Sequence, residues 1–190
     1  MDRSNQPDIN ALQTRIRHLA LRPSPLQTTK SVPSSFPLPF SPPLTNTPRM
    51  AYRLSVRIIN DTGVHLDVIE KSCWKGAGTA WTRSEAGRHL SMNSSGSSGM
   101  LRIRSSEGEH FVVALGVHNY KRWCDVDVNL TDSQVLHDLH EAYYNERHAK
   151  YKALWAQATE ASGTSSKGRK FTITFYRADG NDLLANLVFN

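Results

Sequence analysis

From Tyr52 onward the chain alternates. Tyr52, Leu54, Val56 and Ile58 fall on one side of an extended backbone, with Arg53, Ser55 and Arg57 on the other. That is the pattern of a half-buried strand, because successive side chains leave a strand on opposite faces. Runs of the same period recur at 64–68, 101–104, 111–115, 171–176 and 183–188. Turn-forming stretches part several of them, the plainest being Asn93-Ser94-Ser95-Gly96-Ser97-Ser98-Gly99. Many short strands with turn signals between them predict a sandwich or barrel. One stretch departs from this rule: between Asp132 and Ala161 no strand period is visible. Thr131 to Gln134 has the spacing of a capping box. Val135, Leu139 and Ala142 recur on one helical face, and Gly163 is expected to end the run. The pattern predicts a mainly β domain, a sandwich with a helical excursion late in the chain.

Composition places the start of that domain. All nine prolines lie between Pro7 and Pro48, whereas all eleven glycines and all four tryptophans lie beyond Met50. Folded domains mix these residue types, so the partition predicts an extension over 1–49 and a folded domain over 50–190. Ile9, Leu12, Ile16 and Leu19 recur at helical spacing among Arg15, Arg17 and Arg22, which suits a short amphipathic helix. The Pro-, Ser- and Thr-rich stretch from Pro23 to Pro48 has too little apolar surface to fold and is expected to be disordered. Three readings of 1–49 stay open: a targeting peptide, a disordered extension, and a stretch upstream of a true start at Met50. The last two are preferred, since Asp2 and Asp8 do not suit a transit peptide and Met50-Ala51-Tyr52 leads straight into a strand.

Charge then narrows the function classes. The formal net charge is +6, but six basic residues against Asp2 and Asp8 put +4 of it in 1–49, leaving +2 for the domain. The high pI therefore gives no support for a nucleic-acid surface, and no stripe of aromatic and basic residues accompanies it. Two cysteines, Cys73 and Cys124, make neither a disulfide framework nor a zinc site. The absence of a secretory signal and of a long apolar run predicts a cytoplasmic protein without a transmembrane segment. His137, His140 and Glu141 lie close on the helical stretch but lack a further metal ligand at suitable spacing, His148 lying more than a turn beyond. Cys124 with His118 lacks an oxyanion motif, and no phosphate loop is present. Neither catalytic residues nor metal nor cofactor is expected.

The run Gly116-Val117-His118-Asn119-Tyr120-Lys121-Arg122-Trp123-Cys124-Asp125 resembles the signature segment of the fungal fruit-body lectins. Four further segments match in the same order: Trp74 to Trp81, Met92 to Arg102, Lys167-Gly168-Arg169, and Gly180 to Leu187. The resemblance spans 50–190. It implies an actinoporin-like sandwich of two sheets with a helix-loop-helix connection, homotetramers, and binding to glycans of glycoproteins or glycolipids rather than catalysis, in a defence or storage role.

By that resemblance, Ala77, Ser95, Gly96 and Asn119 occupy a site for Galβ1-3GalNAc, the Thomsen–Friedenreich disaccharide (T-antigen), with His118 and Tyr120 at its rim. The chemistry suits those types: a carboxamide both donates and accepts, matching sugar hydroxyls, and small residues let backbone groups approach a ring. Asn93 and Ser94 stand where the family usually has glycines. Asp125, Val126, Val128 and Arg147 align with a second site for GlcNAc (N-acetylglucosamine) or chitobiose. That site is expected to be degraded, since Val128 replaces a threonine and no tyrosine stands near Ala158. The alternatives are a membrane-active, actinoporin-like toxin using Ile9–Arg22, or an interaction module whose sugar sites have decayed.

Overall fold

The structure, a computed structural model, describes residues 51–74 and 78–190. The expectations for 1–49, and Ala77, lie outside the described residues. The elements run β1 (Tyr52–Asn60), β2 (Leu66–Trp74), β3 (Ala80–Ser84), β4 (Gly87–Met92), β5 (Ser97–Ser105), β6 (His110–His118), β7 (Lys121–Val128), α1 (Leu136–Ala142), α2 (Tyr151–Ala156), β8 (Glu160–Thr164), β9 (Lys170–Arg177) and β10 (Asp182–Phe189). They form a six-stranded sheet, ordered β3-β4-β1-β10-β9-β8, and a four-stranded sheet, ordered β2-β5-β6-β7. Among the described residues only the β1–β10 pair is parallel. The expected two-sheet sandwich is what forms.

The two sheets bury their facing sides together, with Leu54, Leu90, Leu115, Phe111, Phe171 and Phe189 at the centre. The four-stranded sheet is also buried on its outer side, where Met100, Val112, Ala114 and Trp123 meet Leu136, Tyr143 and Leu154 from the helical segment. A strand covered on both faces has no polar face to advertise. That is why His110 to Val117 is buried without interruption and the strand exceeds the short run expected from period two. Gly99 shows how tight the packing is: a Cβ there would meet the Trp81 ring at 2.6 Å. Gly99→Ala is expected to lower stability by about 1–3 kcal/mol through overpacking, read from the midpoint of a denaturant titration. An unchanged midpoint would show that Trp81 repacks freely.

The helical excursion is shorter than the pattern suggested, and its buried face differs. Glu160–Thr164 is a strand, β8, on the edge of the larger sheet, so Gly163 lies within a strand and does not terminate a helix. A Cβ at Gly163 would meet Val128 Cγ1 at 2.7 Å, so the glycine is there for close approach. The buried face of the helical stretch is Leu136, His140 and Tyr143, while Val135 is 53% exposed. The expected stripe of Val135, Leu139 and Ala142 is displaced by one residue. The Thr131–Gln134 signal is a turn preceding the helix: the Gln134 side chain accepts the Thr131 N–H at 2.8 Å, and the helix starts at Leu136 without a side-chain cap. Buried Arg102 holds that turn by donating to the carbonyls of Gln134 (2.6 Å) and Thr131 (2.5 Å).

Candidate functional site

Strand register gathers several loops at one end of the sandwich. Trp74 at the end of β2 pairs with Ser98, Ser97 at the start of β5 pairs with Val117, and His118 pairs with Lys121. The end of β2, the 93–96 loop and the β6–β7 turn are therefore neighbours. The turn has two residues, Asn119 and Tyr120, both left-handed at φ 47° and 62°, as a type I′ hairpin requires.

The sequence-predicted residues Ser95, Gly96 and Asn119 come together here. The Tyr120 N–H donates to Ser95 Oγ at 2.9 Å, and the Gly96 N–H donates to the Val117 carbonyl at 2.6 Å, so the 93–96 loop is tied to the hairpin twice. Asn119 is exposed, and its carboxamide makes no hydrogen bond with any described residue. His118 stands half-buried with its ring edge-on to Trp155 at 4.6 Å, while Tyr120 is 71% exposed. Ala77 is outside the described residues, but its neighbour Gly78 lies under Asn93. A Cβ at Gly78 would fall 1.7 Å from Asn93 Nδ2, so the Asn93 amide packs directly against Gly78 beside this site.

The second group of predicted residues divides between two faces of β7. Val126 is 9% exposed in the inter-sheet core, and Val128 packs against the same core, so neither side chain reaches the helical side. Asp125 does. Its Oδ2 accepts from Tyr143 Oη at 2.8 Å and from Lys150 Nζ at 2.9 Å, and Lys150 also bridges to Asp127. The cation set against Asp125 is thus Lys150, three positions beyond the expected Arg147, which is exposed and engages Asn145 through its backbone N–H. Burial pulls the Lys150 ammonium down, but its hydrogen bonds to Asp127 and Asp125 outweigh that and leave its pKa raised.

Sequence reasoning missed a polar hub between these two regions. His140 Nδ1 bonds Ser72 Oγ and its Nε2 bonds Ser98 Oγ, each at 2.7 Å, and Ser98 Oγ also bonds Tyr144 Oη at 2.7 Å. Tyr144 stacks on Trp74 with centroids 4.6 Å apart. Burial pushes the His140 pKa down to about 4, so the ring is neutral at physiological pH. Only the contrast between His140 and its exposed neighbour His137 signals the hub, and that contrast appears once the helix phase is known.

This chemistry does not extend to covalent catalysis. Burial pushes the Cys124 thiol up to about 12, so it is not a thiolate nucleophile at neutral pH. His140 is committed to two serines and is unavailable to a metal. His137, Asp138 and Glu141 offer ligand atoms within 4.8 Å of one another, but all three are exposed. Small residues beside an exposed carboxamide with no hydrogen-bond partner among the described residues offer the donors and acceptors that polyol hydroxyls match.

Comparison with known proteins makes the assignment specific. Residues 50–187 match the family described as Fungal fruit body lectin. Boletus edulis lectin is 35% identical over 144 residues, covering 74% of this chain and 100% of that protein. A mutated form of Xerocomus chrysenteron lectin superposes with a TM-score of 0.71 at 34% identity, covering 75% of this chain and 99% of that one. The wild-type form gives 0.70 at 33%, covering 74% and 100%. The chain belongs to the fungal fruit body lectin family and is a carbohydrate-binding lectin, not an enzyme.

Proposed function

We propose that the protein binds Galβ1-3GalNAc glycans at the end of the sandwich where Ser95, Gly96 and Asn119 meet, with Ala77 as a further sugar contact and His118 and Tyr120 bordering the sugar. The observation that carries this reading is the Asn119 carboxamide, exposed and without a partner among the described residues, held in a rigid left-handed turn beside Ser95 and Gly96. Such a group donates to one hydroxyl and accepts from another. Single shallow sites of this kind bind at ~10 µM to 1 mM. Assembly into a homotetramer multiplies that affinity on a glycan-bearing surface without new contacts. A cytoplasmic store of such a lectin suits defence, released when tissue is damaged.

The GlcNAc or chitobiose site around Asp125 is the weaker of the two. Tyr143 and Lys150 already occupy Asp125 Oδ2, and a sugar there must compete with both. Calorimetric titration of the protein with Galβ1-3GalNAc and with chitobiose tests both statements. The disaccharide is expected to bind, and Asn119→Ala to abolish measurable uptake, a loss of at least ~100-fold for removing a two-way partner. Unchanged binding by Asn119→Ala moves the site elsewhere. No uptake of either sugar leaves the family's fold with decayed sites, an interaction module.

A further inference from the structure

Beside the Asn119 hairpin, between it and the β9–β10 turn, lies a cavity of about 300 Å³. Its wall includes Tyr52, Tyr120, Lys121, Arg122, Asp179 and Gly180. The volume is at the small end of ligand pockets, enough for one compact group.

Three observations mark it as a built site. Tyr52 is 3% exposed, yet its hydroxyl is enclosed with no hydrogen-bond partner among the described residues, as is Arg122 Nε. Native proteins keep few such groups, and each asks for a reason. Lys121, Arg122 and Asp179 form no ion pair among the described residues although they share one cavity wall. Tyr120 takes up φ 62° at the second position of its turn, where glycine would be unstrained. A bulky residue held in that region is a costly arrangement of the kind that collects at functional sites.

We propose that this cavity is a subsite for the charged end of an acidic glycan, a sugar residue bearing a carboxylate or a sulfate. Lys121 and Arg122 receive the anion in charge-assisted hydrogen bonds, and the Tyr52 hydroxyl donates from the buried side. Asp179 selects among anions. It repels a bare inorganic anion, but it accepts hydrogen bonds from the ring hydroxyls that an acidic sugar also carries. The exposed Tyr120 ring lies against the apolar face of that sugar. The subsite rests on the galactosyl reading above: Asn119 and Tyr120 are consecutive, so a glycan held by one extends over the other.

Titration of the whole protein at low ionic strength with Galβ1-3GalNAc, its sialylated form and its sulfated form tests this. At least one acidic form is expected to bind about tenfold tighter than the neutral disaccharide, and added salt is expected to erode the gain. Which form gains tells carboxylate from sulfate. Lys121→Gln with Arg122→Gln is expected to remove the gain and Tyr52→Phe to reduce it several-fold, with neutral binding unchanged in both. Equal affinity for neutral and acidic forms, or a parallel loss of neutral binding in the variants, overturns the proposal. If the wild type takes up no neutral disaccharide, the galactosyl reading fails separately. The cavity is then judged with free N-acetylneuraminic acid and galactose 6-sulfate by NMR: shifts at the Arg122 and Gly180 amides support it, and no shifts there overturn it.

Discussion

Replacing His140 with alanine is expected to lower folding stability by about 3 kcal/mol at pH 7.5 and to flatten the acid side of the stability profile. The first effect combines two lost hydrogen bonds, to Ser72 and Ser98, with a void beneath Trp74 and Tyr144. The second follows from protonation. Burial holds the folded-state pKa near 4, whereas in the unfolded chain the ring titrates near its ordinary value of about 6.5. Above that ordinary value neither state binds the proton and nothing is lost. As pH falls below it, the unfolded chain takes up a proton that the folded hub refuses, and stability drops by about 1.4 kcal/mol per unit until roughly pH 4. Over that window the wild type loses about 3 kcal/mol through this group. His110 adds to the slope in the same direction, because burial lowers its pKa and Asp132 offsets that only in part. The variant keeps that share. Denaturant melts at pH 7.5, 6, 5 and 4.5 give both quantities. A variant whose profile runs parallel to the wild type would show that His140 is not the group refusing the proton. Since Ser98 lies two residues beyond Gly96, and Trp74 three before Ala77, the variant is also expected to bind Galβ1-3GalNAc several-fold more weakly.

The sequence revealed those parts of the fold in which one face stays wet. β1, β9 and β10 bury every other residue along most of their length, and period two identifies them directly. It marked only 101–104 and 111–115 of β5 and β6, which are buried on both faces because a helical segment from elsewhere in the chain covers the second one. It passed over β8 because Glu160-Ala161-Ser162-Gly163-Thr164 carries no large apolar residue, being shaped by the approach of Val128 to Gly163. The helix phase slipped by one because His140 and Tyr143, polar in composition, are the buried residues, their polar atoms met by Ser72, Ser98 and Asp125. At the candidate site, Asn119 and its turn were legible in the signature run and Ser95-Gly96 in the Met92–Arg102 segment, and strand register brings the two together. The pairing of Lys150 with Asp125 was not, since a loop between two short helices has no period from which to count.

Lys150→Met is the second large effect expected, because it leaves charge without a counterion. The ammonium lies between Asp125 and Asp127, and the three side chains are only 23–26% exposed. Residues two apart on a strand share a face, so without Lys150 two carboxylates stand side by side, with Tyr143 Oη and the Val126 N–H donating to Asp125 and no described residue donating to Asp127. Breaking a fully buried pair costs about 3–5 kcal/mol; with a quarter of each group in solvent, about 2 kcal/mol is expected here. Methionine keeps much of the stem that packs over the Tyr143 ring, 5.4 Å from the Lys150 nitrogen, so the loss reports charge more than packing. Asp127→Asn in the Lys150→Met background provides the check: it removes one of the two charges and should recover part of the stability at neutral pH. Denaturant melts of the three proteins at pH 7.5 decide the matter. A deficit unrelieved by Asp127→Asn would assign the Lys150 contribution to packing of its stem. Chitobiose titrated against the same proteins then reads whether Lys150 obstructs or completes the second sugar site, with tighter binding by Lys150→Met expected if the ion pair competes with the sugar for Asp125.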